Sequence, residues 1–254
     1  METARQPDAT SRIYAVLGIL LFLGLWQLAG KTGVAGPVLP AVSDVAFTLW
    51  SPENFTLLAH SALATLLSAG RGLLFGSVLA VALAILMRLV PPLRPGLDRF
   101  SLLVNATPPI ALGPILIVIF SRSQTPTVLA GIQVFFLFYV AASSGLADAS
   151  PGLRDVMTAL GANPWRRLLH LELPSALPNL ARGLKAAVPV AFIGAILGEW
   201  FGAPQGLGLV ILNAMQNFQI RLMWAAVTMA ALMSLAGFMI AATLESAVAR
   251  RFGQ

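Results

Sequence analysis

Cysteine is absent from this 254-residue chain, and histidine occurs only twice, as His60 and His170. The lack of cysteine excludes disulfide bonds, thiolate metal sites and a cysteine nucleophile. Two isolated histidines favour packing or interfacial roles, so we expect no metal site. Charge is also scarce: 10% of the residues are charged and 57% are hydrophobic, against about 25% and 45–50% in soluble domains. This composition predicts a protein that crosses a membrane several times.

Six apolar runs predict six transmembrane helices, because a span needs roughly 17–25 mostly apolar residues. The first run could be mistaken for a signal peptide, but it is long for a signal core and five more runs follow, so we expect no cleavage. We therefore predict an all-α membrane protein with a short N-terminal segment, residues 1–12, and a single membrane domain, residues 13–254. The predicted spans are residues 13–29, 61–87, 102–120, 128–145, 186–201 and 222–244.

The basic residues are distributed unequally between the two predicted membrane sides. Basic residues in short loops favour the cytoplasmic side, so both termini and residues 146–185 are predicted to be cytoplasmic. The basic residues are scattered along the chain and form no dense block, so we expect no nucleic-acid binding. Twelve fall on one side, namely Arg5, Arg12, Arg88, Arg94, Arg99, Arg154, Arg166, Arg167, Arg182, Lys185, Arg250 and Arg251, and three on the other, namely Lys31, Arg122 and Arg221; Arg71, near the outer part of the second predicted span, is counted for neither side.

Catalytic and ion-coupling signatures are missing as well. Residues 24–32 read GLWQLAGKT, but a phosphate-binding loop needs glycine where Leu25 stands and a preceding strand. There is no G-x-S-x-G motif, and the two histidines fall on opposite predicted sides, which argues against an intramembrane serine protease. The centres of the six runs lack Asp and Glu, although ion-coupled carriers usually keep acidic residues there. An ion-coupled secondary transporter remains the alternative to a permease that obtains its energy from a partner.

Residues 146–185 form a charged segment, here named the island, with the start and stop signals of two short amphipathic helices. Ser150-Pro151 and Asn163-Pro164 each offer an N-cap followed by proline, and Gly161 is a natural stop for the first helix. We expect Pro174 and Pro178 to end the second helix. The pattern alone leaves two interpretations open, namely helices lying on the membrane interface or a docking surface for a soluble partner.

The segment DVMTALGANPWRRLLHLELPSALP, residues 155–178, resembles the EAA motif in permease subunits of bacterial type I ABC importers. Asp155 matches the acidic position, Gly161 the glycine, Ala162 its small neighbour, and Leu173-Pro174 the terminal pair. Where that family has Glu-Ala-Ala, this chain has Asp155-Val156-Met157. The resemblance implies that the island is a coupling helix in a cleft of a cytoplasmic ATPase. The residues expected to couple to that ATPase are Asp155, Ala159, Gly161, Ala162, Trp165, Arg166, Leu173 and Pro174.

A second segment, GEWFGAPQGLGLVILNA at residues 198–214, is similar to the sulfonate, taurine and nitrate group of these permeases. The resemblance implies a type I importer fold that works as a dimer with a second permease copy. It also implies two ATPase subunits that bind ATP, and a periplasmic or lipid-anchored substrate-binding protein. The expected location is the bacterial inner membrane, with no cofactor in this chain.

Polar and proline residues near two spans are candidates for a substrate path or gate. The third run opens on Asn105, Thr107 and Pro108 and is interrupted by Pro114, which predicts either a packing kink or carbonyls that line a cavity. The segment after the fifth run is too short to span, so it is a re-entrant gate, a surface for the binding protein or a solvated loop. Its polar residues include Glu199, Asn213, Gln216 and Asn217.

Overall fold

The computed structural model describes residues 9–34 and 36–252, and this part of the chain is helical. The predicted N-terminal segment 1–12 lies partly outside the described residues. Short 3₁₀ turns lie at Gly36–Val38 and Pro91–Leu93, and a π turn lies at Leu168–Glu172. The α-helices are α1 Ala9–Thr32, α2 Val42–Trp50, α3 Pro52–Leu89, α4 Arg94–Ala106, α5 Pro109–Ile119, α6 Thr125–Ala147, α7 Pro151–Ala159, α8 Pro164–Arg167, α9 Leu173–Glu199, α10 Leu207–Gln216 and α11 Ile220–Phe252.

Five helices are long and apolar enough to cross a membrane: α1, α3, α6, the helix from Pro164 to Glu199, and α11. The predicted third span, residues 102–120, is instead two helices, because α4 and α5 meet at an angle of 100°. The break falls at Thr107-Pro108, whereas Pro114 lies inside α5. Thr107 is extended, with ψ of 122°, because a residue before proline avoids the helical conformation. The described chain therefore has six spans only if this bent pair counts as one.

Two predicted spans begin later in the sequence than the helices that contain them. Helix α3 begins at Pro52 rather than at residue 61.

The prediction that Pro174 and Pro178 end the second island helix is wrong, because one helix continues from Pro164 to Glu199. In the π turn of this helix the Leu173 N–H donates to the Leu168 carbonyl. Pro174 follows directly, and it has no N–H that would need an acceptor. The second half of the island is thus the start of the fifth span.

The centre of the fold is the packing of α3 and α9 against α6 and against each other. Small residues allow the backbones to approach closely, as is common between membrane helices. A Cβ atom at Gly76 would collide with the Gly131 carbonyl oxygen of α6, and one at Gly194 would lie 2.7 Å from the Ala130 Cα atom. Around these contacts pack buried side chains from the three helices, including Val134, Phe138, Ala187 and Phe192. This core fixes how the two ends of α9 lie against α3.

Helix α1 lies outside this core. Its side chains from Ile13 to Leu23 are exposed, as expected for a helix that faces lipid or another subunit. It is attached near its C-terminal end, where Trp26 Nε1 donates to the Pro40 carbonyl at 3.0 Å and the Trp26 ring lies 5.2 Å from that of Trp224. Among the residues that the structure describes, α1 is therefore attached near its C-terminal end.

We expect Gly76→Val to destabilise the fold, because its side chain cannot be placed without separating α3 from α6. Overpacking of this kind costs about 1–3 kcal/mol. The measurement is the thermal unfolding temperature of the chain in maltoside micelles. Gly70→Val is the matched control, since Gly70 is on the same helix and a Cβ atom added there would meet no other group within 4 Å. Equal unfolding temperatures for the two variants would contradict the close packing.

Candidate functional site

The island folds as predicted at its central turn. Gly161 has φ of +75°, a left-handed conformation that glycine adopts at little cost. The Asn163 side chain then caps α8 by accepting a hydrogen bond from the Arg166 N–H at 2.8 Å. Ser150 stands at the N-cap position of α7, but its hydroxyl makes no capping bond. Residues 151–172 therefore form a helix–turn–helix unit, here named the α7–α8 segment.

An apolar surface lies exposed on the α7–α8 segment. Leu160 is 81% exposed and Trp165 is 52% exposed, and they flank the Gly161 turn. Leu153, Val156 and Leu169 are also exposed. Adjacent exposed apolar side chains of this kind mark an interaction surface more often than a solvated one. Together these five side chains offer a partner an apolar contact on an otherwise charged segment.

A buried carboxylate fixes the α7–α8 segment to the bundle. Glu172, at the end of the π turn, is 1% exposed, and its Oε2 accepts a hydrogen bond from Arg88 Nε of α3 at 2.7 Å. Its Oε1 contacts the Arg88 Nη2 group and lies 3.4 Å from Arg154 Nε and 3.5 Å from Arg167 Nε. One negative charge thus joins α3, α7, α8 and the start of α9.

The sequence pattern placed Arg88, Arg154 and Arg167 on the same predicted membrane side but did not predict that they meet at Glu172. The signal was a carboxylate among the apolar residues Leu168, Leu171 and Leu173. A charge in such a position is costly unless it is paired. The identity of its partners depends on the tertiary contact with α3, which lies 84 residues earlier in the chain.

The residues predicted to contact an ATPase lie on one segment and its continuation into α9. Asp155 is exposed and has no ion pair within the described residues, so its charge is available to a partner. Leu173 and Pro174 are half-buried where the π turn meets α9. Ala162 is also half-buried. The remaining predicted coupling residues are exposed, namely Ala159, Gly161, Trp165 and Arg166.

At the opposite end of α9 lies a second buried carboxylate. Glu199 is 0% exposed and accepts hydrogen bonds from Thr65 Oγ1 of α3 at 2.8 Å and from the Gly208 N–H at 2.7 Å. The Leu207 N–H donates to Thr65 Oγ1 at 2.9 Å. These two N–H groups begin α10, where a negative charge is favourable. Glu199 therefore holds α10 against α9 and α3 and is enclosed, although we predicted it as part of a path or gate.

The remaining predicted path residues lie in two places. Asn213 is exposed in α10 and lines a cavity of about 350 Å³ with His60, Gln205 and Gln219. Gln216 and Asn217 are exposed at the end of α10. A separate group lies at the α4–α5 break, where Asn105 and Pro108 are exposed and Thr107 is half-buried.

Comparison with known proteins assigns this architecture. The family described as "Binding-protein-dependent transport system inner membrane component" matches residues 72–254. A "Probable ABC transporter permease protein" of Haemophilus influenzae is 32% identical and covers 83% of this chain and 85% of its own length. Two further relatives are the formylaminopyrimidine transport permease ThiX of Halalkalibacterium halodurans, at 27% identity with 91% and 92% covered, and the aliphatic sulfonates transport permease SsuC of Bacillus subtilis, at 26% with 89% and 84% covered.

Comparison of the fold with solved structures also finds ABC transporters. A solved inward-facing structure of the MetNI methionine ABC transporter superposes with a TM-score of 0.70 at 19% identity, covering 78% of this chain and 99% of that chain. This confirms the prediction of an all-helical importer permease fold. The family assignment favours this permease over the alternative of an ion-coupled secondary transporter. The family is a membrane component that is not itself catalytic. The chain belongs to the binding-protein-dependent transport system inner membrane components, the permease subunits of bacterial ABC importers.

Proposed function

We propose that this permease imports a small solute with energy from two ATPase subunits that bind ATP and dock on the α7–α8 segment. The observation that supports it is the exposed apolar surface around Leu160 and Trp165 on a segment that Glu172 ties to the bundle. The exposed apolar surface provides a place for a partner to dock. The buried attachment through Glu172 allows movement of the docked segment to reach the bundle. No cofactor is needed in this chain, because nucleotide chemistry takes place in the partner.

Glu172 gives the ATPase a mechanical connection to the spans. When two ATPase subunits close on ATP, a docked α7–α8 segment moves with them. Arg154 and Arg167 of the segment meet Arg88 of α3 at the same carboxylate. Movement of the segment is therefore passed to α3 and to α9, rather than absorbed in a loose loop. Closure turns the path outward, and hydrolysis allows it to reopen inward.

The α7–α8 segment lies in the cytoplasm in this proposal, together with both termini. The support is the excess of basic residues on this side, twelve against three, which follows the positive-inside rule. A second copy of the chain completes the path, and a periplasmic or lipid-anchored binding protein delivers the solute on the opposite side. The exposed apolar residues of α1 then face lipid or the second copy.

The solute is a small organic or inorganic anion, such as a sulfonate, taurine or nitrate. The support is the relative named for aliphatic sulfonates, together with the similarity of residues 198–214 to the sulfonate, taurine and nitrate group.

We expect Gly161→Leu to insert into the membrane but to lose coupling. The glycine has φ of +75° with open space around it, so leucine would strain the backbone and cover the docking surface. A left-handed backbone costs about 1–2 kcal/mol for most residues. Co-purification of the ATPase and transport-linked ATP hydrolysis should fall while membrane levels stay constant.

Two further variants separate the causes at this turn. Gly161→Asn should retain more coupling, because asparagine tolerates the left-handed conformation. Gly152→Leu adds the same bulk to the same segment at a glycine without a positive φ, and should leave ATPase co-purification near wild type. Full transport by Gly161→Leu would contradict docking at this turn.

We expect Glu172→Ala to release the α7–α8 segment from the bundle. Removing one partner of a buried ion pair costs about 3–5 kcal/mol, and here Arg88 loses its hydrogen-bond acceptor while Arg154 and Arg167 lose the nearby negative charge. Trypsin should cleave after Arg154 and Arg166 faster in the micelle-solubilised variant, and the unfolding temperature should fall. Glu53→Ala is the matched control, because Glu53 is an exposed glutamate outside the cluster and far from both cleavage sites in the sequence. Wild-type cleavage rates in Glu172→Ala would show that the cluster does not hold the segment.

The predicted orientation has a direct test, since the chain contains no cysteine. Asn163→Cys should resist a membrane-impermeant maleimide in intact cells and react in inverted vesicles. Phe218→Cys is the complementary control, because Phe218 is 86% exposed in the α10–α11 turn at the opposite end. It should react in intact cells. The reverse labelling pattern would overturn both the topology and the assignment of the docking side.

A further inference from the structure

A polar cavity of about 250 Å³ lies at the end of the bundle opposite the α7–α8 segment. It is bounded by α3, the loop between α5 and α6, and the loop between α9 and α10. Donor groups from all three elements line it: His60, Ser68 and Arg71 from α3, and Ser123 and Gln205 from the two loops. Among the described residues, no carboxylate lines this cavity. It is built from a guanidinium group, an imidazole, hydroxyls and an amide.

The Arg71 charge is not matched by a carboxylate in the described part of the chain. Arg71 is exposed and forms no ion pair within residues 9–34 and 36–252, where seven other basic residues do. The comparison is the cavity of about 890 Å³ at the same end, where Arg221 lies 3.8 Å from Asp44. The two cavities therefore differ in charge balance, since a carboxylate stands beside the cation only in the larger one.

The position of Arg71 in the span sharpens this contrast. Arg71 precedes Arg88 by 17 residues in the same helix, which is about 25 Å at 1.5 Å per residue. With Arg88 at the cytoplasmic boundary, Arg71 lies near the outer boundary of a hydrocarbon core about 30 Å thick. A long arginine side chain near the end of a span extends its charged group to the membrane interface, so the Arg71 guanidinium is accessible from the outer side.

The cavity shares lining residues with a neighbouring cavity that reaches α10. His60, Pro204 and Gln205 line both this cavity and the neighbouring one of about 350 Å³. The second cavity continues to Asn213 of α10. Neither cavity has an acidic residue among its described lining residues. A polar surface without negative charge therefore runs from Arg71 to α10, which Glu199 holds in place.

We propose that the Arg71 cavity binds an oxyanion at the outer mouth of the permease. Guanidinium groups bind the paired oxygens of sulfonate, nitrate or phosphate groups through two parallel N–H···O bonds. Ser68 and Ser123 add hydroxyl donors, and Gln205 adds an amide donor. A transported anion and a lipid phosphate share this chemistry. The role of the site in import depends on the function proposed above, whereas oxyanion binding does not.

The test measures weak binding directly, on the full chain in phosphate-free maltoside micelles with its ATPase subunits. Saturation-transfer NMR follows the methyl signal of methanesulfonate, and uncharged dimethyl sulfone is the matched neutral probe. We expect transfer to methanesulfonate only, with competition by nitrate. Arg71→Gln should weaken binding about tenfold, as expected when a charged hydrogen-bonding group is lost. Arg221→Gln, which removes the same charge from the cavity that contains Asp44, should bind like the wild type.

Each result decides one question. Equal transfer in the wild type and Arg71→Gln, or equal transfer to the two probes, overturns the oxyanion site. Competition by short-chain phosphatidylglycerol but not by nitrate assigns the site to a lipid phosphate, and competition by nitrate assigns it to a free anion. ATPase that fails to co-purify with the wild-type chain removes the proposed function and leaves the binding result standing.

Discussion

The close approach of α3 and α9 to α6 is the contact on which the rest of the structure depends. It requires residues without side chains, because the Gly76 backbone lies against the Gly131 carbonyl and the Gly194 backbone lies against Ala130. Between membrane helices the hydrophobic effect gives little drive, so van der Waals packing of close backbones has to supply it. The three helices then form a rigid unit to which shorter helices attach.

Two buried glutamates connect α9 to α3, one at each end. Glu172 meets Arg88 just before α9 begins, and Glu199 meets Thr65 where α9 ends. Their partners differ in kind. Glu172 is surrounded by three arginines. Glu199 accepts hydrogen bonds from a hydroxyl and a backbone N–H and so caps α10. The packed helix between them links the α7–α8 segment at one end with α10 at the other.

In the proposed function, this arrangement lets a segment that contains no catalytic group act on the path. A partner that moved the α7–α8 segment would act on Glu172, and through it on both α3 and α9. The packed core resists local deformation, since interiors at close packing transmit strain. Helix α10 is attached through Glu199 to the same two helices, so displacement at one end reaches the cavities around His60 and Arg71 at the other.

The sequence by itself determined that the chain is an all-helical membrane protein, because apolar run length and the turn at Gly161 and Asn163 are local properties. The resemblance of residues 155–178 to the EAA motif then indicated an importer permease and located the α7–α8 segment. Only the tertiary structure decided that the third span breaks at Thr107-Pro108, that one helix runs through Pro174 and Pro178, and which residues contact the two buried glutamates. Prolines are compatible with either a helix end or a continuous helix, and the choice depends on packing. The partners of Glu172 and Glu199 lie 84 and 134 residues away, and no local pattern in a single sequence specifies contacts at such separations.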